Sequence, residues 1–204
     1  MDLTEVLRRR RMVRAFRADP VPADVLDRVL GAARRGPAAG NSDGTDLVVL
    51  EGRDQTRSYW DVTLPPGRAR DHFGYPRLLD APVLVLPIAD SGAYLRRYSE
   101  ADKASTGLGE SEERWPVPYW TVDTSFAAML LLLAATAEGL GSLFFGIFAH
   151  EAELLGSLGA PTGRRAIGTI ALGWPDAEAD AARPGLSASR PKRSLDEVVH
   201  RGRW

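Results

Sequence analysis

The residues best suited to chemistry in this sequence are arginines. Arg8, Arg9, Arg10 and Arg11 run together, and Arg14 follows after Met12 and Val13. The end of a helix accounts for Arg8 and Arg9, because cations favour the partial negative charge of the last carbonyls. It does not account for Arg14, which stands between Val13 and the Ala15-Phe16 pair. A helix that breaks near Met12 lets Arg10, Arg11 and Arg14 converge on one phosphate, a task the guanidinium fork is shaped for. A second basic cluster, Arg190-Pro191-Lys192-Arg193, lies near the other end of the chain, and the two together point to a shared anion. Two more stretches offer groups for a flat ligand. In Gly36-Pro37-Ala38-Ala39-Gly40-Asn41 the Asn41 amide presents a donor and an acceptor that suit the edge of a planar heterocycle. An ordinary helix exit explains the same stretch. Glu138-Gly139-Leu140-Gly141-Ser142 reads first as a helix C-cap. The Phe144-Phe145-Gly146 that follows sets backbone N–H groups beside aromatic surface, where a flat cofactor fits.

Other chemistries are excluded. The chain has no cysteine, so disulfides, thiol catalysis, thiolate zinc sites and iron–sulfur clusters are ruled out. His72, His150 and His200 are scattered and lack metal-ligand spacing. G-x-S-x-G, G-x-x-x-x-G-K-[ST] and G-x-G-x-x-G are all absent. The pair Glu112-Glu113 lies in a polar stretch and reads as solvated surface. Lys+Arg number 26 against 27 Asp+Glu, so no global field draws the chain to nucleic acid or to an anionic membrane.

These residues need a scaffold. The length, 204 residues, is that of one domain, and 44% hydrophobic with 26% charged residues is the balance of a soluble globular protein. Leu3, Val6 and Leu7 place a helix over residues 3–10, and Val25, Leu26, Val29, Leu30 and Ala33 place another over 23–35. Residues 36–44 are a loop. Asp46–Glu51 reads as a strand, as does Ala81–Ala89, which is apolar on both faces and therefore central. Residues 99–118 form a polar excursion ending among Trp115, Tyr119 and Trp120, which are candidate lid or core aromatics. A long apolar helix runs from Val122 to Glu138, a strand or extended segment covers Leu143–Phe148, a helix Glu151–Leu158 and a strand Ala166–Leu172. Residues 175–192 read as a surface tail. Interleaved helices and strands give an α+β or α/β sheet packed by helices. The N-terminus lacks the apolar run of a signal peptide, and Phe126–Ala137 is too short to span a bilayer, so a cytoplasmic location is expected.

Taken in order, Arg10-Arg-Met-Val-Arg-Ala-Phe16, Gly36-Pro-Ala-Ala-Gly-Asn41, Glu138-Gly-Leu-Gly-Ser142 with Gly146, and Lys192-Arg-Ser-Leu-Asp-Glu-Val-Val199 resemble the nitroreductase family of flavin enzymes over nearly the whole chain. The resemblance implies an α+β sandwich with a mainly antiparallel sheet flanked by helices, in an intertwined homodimer with FMN at the interface. It implies one FMN-binding domain over residues 1–204, with a lid excursion at 99–120. Carried over by position, Arg10, Arg11 and Arg14 hold the FMN phosphate and ribityl chain, and Lys192 or Arg193 completes the phosphate site. Pro37, Ala38, Ala39 and Asn41 come from the partner subunit to edge the isoalloxazine ring. Phe144 and Phe145 pack on the ring, the Gly146 N–H points at flavin N5, and the long helix lies in the dimer interface. Two positions depart from the family pattern. Met12 replaces a usual Ser that would approach the cofactor, and Asn41-Ser-Asp-Gly-Thr45 replaces Asn-x-Gln-Pro-Trp.

The implied activity passes a hydride from NAD(P)H through flavin N5 to a small planar nitroaromatic or quinone, in ping-pong fashion and with no catalytic side chain. The alternatives are other chemistry within the same family (dehydrogenation, dehalogenation, flavin fragmentation) or a flavin-binding protein without turnover.

Overall fold

Every residue of the strand Val83–Asp90 is buried, so both of its faces must be covered. The rest of the molecule is arranged to do this. The computed structural model describes residues 1–204 apart from Leu186 and Ala188. Those two fall in the stretch read as a surface tail, and that reading of them lies outside the described residues. In chain order the elements are α1 (Leu3–Arg9), α2 (Ala23–Ala33), β1 (Thr45–Glu51), α3 (Gly52–Thr63), α4 (Arg68–Asp71), β2 (Val83–Asp90), α5 (Ser91–Tyr98), α6 (Tyr119–Ala137), β3 (Gly141–Phe145), α7 (Glu151–Ser157), β4 (Arg164–Ala166), β5 (Thr169–Gly173), α8 (Ala177–Ala182) and α9 (Leu195–Val198).

The sheet is antiparallel throughout, in the order β1-β2-β5-β3, with β4 also paired to β2. β5 pairs with Val83–Val85 and β4 with Ile88–Asp90. Pro87, which has no N–H to give a ladder, sits where one partner strand hands over to the other. Alternation then sorts the core into two layers. Leu84, Leu86 and Ile88 face Tyr59 and Trp60 of α3 and Leu154 and Leu155 of α7. Val83 and Val85 face Leu26 and Val29 of α2 and Ala127, Ala128 and Leu131 of α6. This is the expected α+β sandwich. α6 is long and apolar enough to cross a membrane, but its Ala127, Ala128, Leu131 and Ala135 are buried against the sheet.

Several boundaries differ from the sequence reading. α6 starts at Tyr119, three residues before the expected Val122, because Pro118 ends the excursion and its carbonyl accepts the Thr121 and Val122 N–H groups (2.9 and 3.2 Å). Its end is a Schellman cap. Leu140 N–H reaches the Ala135 carbonyl (2.8 Å), Gly139 N–H reaches that of Thr136 (3.1 Å), and Gly139 has φ +79°. The chain therefore enters β3 at Gly141, ahead of the expected Leu143, and leaves it at Phe145. The expected 166–172 strand divides at Gly168 (φ +155°) into β4 and β5, because a Cβ there would lie 2.6 Å from the Phe144 ring. The 175–192 stretch is not all surface, since α8 forms in it and buries Asp180.

Candidate functional site

The helix carrying the arginine run ends as the spacing requires. Asp2 caps α1 by accepting the Glu5 N–H (2.9 Å), and at Arg10 the backbone turns extended. Met12 then bridges to Ser142, and Val13 N–H donates to the Ser142 carbonyl (2.9 Å), so this segment lies as a short extra strand beside β3. Gly141 permits the approach, because a Cβ on it would stand 3.0–3.1 Å from the Val13 side chain. The glycine motif thus has two structural tasks, a helix cap at Gly139 and close packing at Gly141.

Pinned in this way, Arg10, Arg11, Met12 and Arg14 line one cavity of about 510 Å³, whose opposite wall is Asp180, Ala181, Arg183, Pro184 and Gly185. An anion already lies against them. The Asp180 carboxylate, 7% exposed, pairs with the Arg11 guanidinium and accepts the Arg14 N–H at 2.6 Å. The Arg14 guanidinium lies over the Tyr75 ring, 5.6 Å from its centroid, and donates to the Met12 carbonyl at 3.3 Å. Arg10, Arg11 and Arg14 are thus brought to one cavity, where the anion they face is the chain's own Asp180. A cavity of about 710 Å³ elsewhere, lined by Trp60, Arg70 and Pro82 among others, holds none of the expected site residues.

The 36–44 loop is held by its neighbours. Ala39 N–H donates to the Asp123 carboxylate (2.7 Å), which also accepts the Tyr94 hydroxyl (2.7 Å). Arg97 donates to the Gly40 carbonyl (2.8 Å) while clamped by both Asp102 oxygens at 2.8 Å. Gly40, Asn41 and Asp43 adopt left-handed φ of 63°, 54° and 48°, a conformation that Asn and Asp tolerate best among residues with a side chain. A Cβ on Gly40 would come 2.7 Å from the Tyr98 ring. Burial, reinforced by the Asp123 carboxylate, pushes the Tyr94 hydroxyl well above its ordinary pKa, so it remains a donor. Pro37 and Asn41 are exposed, and Ala38 and Ala39 are half-buried. The Asn41 amide is thus presented on a rigid turn.

The structure does not bring all the expected residues together. Strand alternation sends Phe144 and Phe145 to opposite faces of the sheet. Phe144 packs in the α2–α6 layer, and Phe145 stacks on Trp60 (5.7 Å, 6° between planes) in the α3–α7 layer. Within one chain they therefore do not form a shared wall. Gly146 follows the last paired residue of β3. Arg193 donates to the Glu197 carbonyl inside the terminal segment, and neither it nor Lys192 lines the arginine cavity among the described residues. Trp115, at 8% exposure, is the centre of a third cluster with Tyr94, Tyr98 and Trp120, so here the core reading holds. Sequence reasoning missed Asp123 as an anchor and missed Asp180 entirely. No signal singled out Asp180, because Ala177–Ala182 offers no motif and two acids among four alanines read as solvated.

An antiparallel α+β sandwich with an arginine-lined cavity beside β3 defines the class, and sequence comparison gives it a family. Residues 7–174 match the nitroreductase family, and the chain belongs to it. A Thermus thermophilus protein named NADH dehydrogenase is 28% identical over 196 residues, covering 87% of this chain and 89% of that one. A Methanothermobacter thermautotrophicus protein, named as both NADH dehydrogenase and NAD(P)H nitroreductase, is 27% identical over 156 residues. That match covers 76% of this chain and 66% of the relative. Among solved structures, the nitroreductase NfrA1 of B. subtilis aligns with a TM-score of 0.73 at 17% identity, over 98% of this chain and 74% of that one. A nitroreductase family protein of Clostridium novyi aligns with a TM-score of 0.66 at 20% identity, over 91% and 89%. Both share its fold.

Proposed function

We propose that this chain is an FMN-dependent oxidoreductase that carries hydride from NAD(P)H to a small planar acceptor such as a nitroaromatic or a quinone. The observation that supports this best is the arginine cavity. Arg10, Arg11 and Arg14 are fixed on a segment hydrogen-bonded to β3, and a carboxylate already accepts from two of them. That donor set fits the phosphate of FMN, since guanidinium groups and a backbone N–H are the donors that hold phosphate oxygens. The names borne by the relatives support the NAD(P)H side of the reading.

When bound, FMN supplies the redox chemistry by taking and returning a hydride. The chain's own residues supply position and charge. Arg10, Arg11 and Arg14 hold the phosphate end, and Lys192 or Arg193 adds a cation from the terminal segment. The rigid 37–41 turn sets Pro37, Ala38, Ala39 and the Asn41 amide at the ring edge. The Gly146 N–H, at the end of β3, would offer a donor to the ring and favour added negative charge there. Phe144 or Phe145 gives the ring an apolar neighbour, and the alternation of β3 allows only one of them to do so. Met12 in place of a hydroxyl residue removes one side-chain hydroxyl from the cofactor's surroundings. The whole chain acts as one FMN-binding domain, with residues 99–120 bordering the site as a packed flap centred on Trp115.

The functional unit in this reading is a cytoplasmic homodimer whose partner subunit supplies the 37–41 turn. Phe126 and Met129 on α6, each 45% exposed, and Leu3 and Leu7 on α1 leave apolar surface uncovered. So do Leu195, Val198, Val199 and Trp204 of the terminal segment. Titration of the purified protein with FMN tests the proposal. Wild type should bind, and Arg14→Ala should bind about 10–100-fold more weakly, the worth of one charge-assisted bond. Equal affinities would refute the assignment of the cavity.

A further inference from the structure

We propose that Asp180 is a built-in competitor for the anion taken by the arginine cavity, so that the 177–185 segment sets how tightly the site holds a phosphorylated flavin. This rests on the FMN reading above. The carboxylate occupies the Arg11 guanidinium and the Arg14 N–H together, the donors a phosphate would use. It is 7% exposed, although the helix that carries it has only six residues. The chain beyond it continues across the site, and a Cβ on Gly185 would lie 2.7 Å from the Arg14 guanidinium carbon. The segment has its own latches. Asp176 caps α8 by accepting the Ala179 N–H (3.1 Å) and pairs with Arg77 (3.0 Å), and Arg183 donates to the Gly74 carbonyl (2.9 Å). It is therefore a strap with a defined closed position.

A carboxylate held by two such donors is displaced only by a group that satisfies them better. A phosphate monoester does so, because it carries nearly two charges and three strong acceptor oxygens at neutral pH. A chloride or a carboxylate ligand does not. A flavin with no phosphate has nothing to exchange for Asp180. The strap thus lowers FMN affinity by the fraction of time it is closed and leaves riboflavin binding untouched, narrowing the advantage that the phosphate gives FMN.

The test compares FMN and riboflavin binding to wild type and Asp180→Asn, with hydrogen exchange on the 177–185 peptide of the wild type. Asp180→Asn should bind FMN about tenfold more tightly and riboflavin unchanged, and FMN should speed exchange in 177–185. Weaker or unchanged FMN binding by Asp180→Asn, or protection of 177–185 on adding FMN, would overturn the proposal and make Asp180 a positioning residue for the arginines. If Asp180→Asn does not fold, the wild-type exchange result decides. FMN binding that ignores Arg14→Ala removes the cofactor reading and the strap together. Binding that depends on Arg14 but weakens in Asp180→Asn removes the strap alone.

Discussion

Removing the Asp123 carboxylate should loosen the 36–44 loop and destabilise the protein by an amount the structure lets us work out. Asp123 is 5% exposed, and one of its oxygens accepts both the Ala39 N–H and the Tyr94 hydroxyl at 2.7 Å. Tyr94 is fully buried. Bonds to a charged acceptor contribute about 1.5–3 kcal/mol each, so Asp123→Ala should cost about 3 kcal/mol at the lower end. For a chain of this size that is a fall in Tm of roughly 6–12 °C. Tyr94→Phe removes one bond and should cost about half as much. The double variant should be no worse than Asp123→Ala, because the Phe no longer strands a buried hydroxyl. The cycle should therefore show coupling of about 1.5 kcal/mol. The assay is urea and thermal unfolding at one fixed protein concentration, followed by FMN titration, where Asp123→Ala should bind more weakly as Ala39 and Asn41 lose their fixed positions. Additive losses in the cycle, or an Asp123→Ala variant as stable as wild type, would refute the reasoning.

Other expectations follow from single contacts. Gly141→Ala puts a methyl 3.0–3.1 Å from Val13 and should cost about 1–3 kcal/mol while weakening FMN binding, read by unfolding and titration, because the Met12–Val13 segment is pushed off β3. Gly40→Ala meets both a φ of +63° and the Tyr98 ring, and should lower Tm and FMN affinity together. Arg28 holds the Glu138 carboxyl below its ordinary range through paired hydrogen bonds at 3.0 and 2.9 Å. Glu138 has a depressed folded pKa, so its stabilisation is present above the unfolded carboxylate pKa and fades as pH falls through the folded one. Arg28→Ala should accordingly lower Tm at neutral pH and narrow its gap to wild type in acid. Replacing Phe126 and Met129 of α6 by Lys should convert the proposed dimer to monomer in sedimentation and abolish flavin retention.

How much was legible in the sequence depends on the range of the contacts. β2 declared itself because a strand covered on both faces is apolar at every position, and α2 because its core side chains recur at helical spacing. The convergence of Arg10, Arg11 and Arg14 was legible as well, because a basic residue wedged between Val13 and Ala15-Phe16 has little reason to be there except to reach a partner. α3 went unread because only Thr56, Tyr59 and Trp60 are buried in it, too few to set a period against its charged positions. Asp180 could not be seen, since its partners lie 166 and 169 residues away in sequence and nothing local marks it. Phe144 and Phe145 were both expected to pack on the ring, although adjacent residues of a strand face opposite ways.

The most direct test of the account is an absorption spectrum of the protein incubated with FMN and freed of excess, recorded before and after anaerobic addition of NADPH. The account predicts a bound flavin band that bleaches on adding NADPH and returns when a quinone is supplied. Protein that stays colourless would contradict it, and the arginine cavity would then belong to another anion.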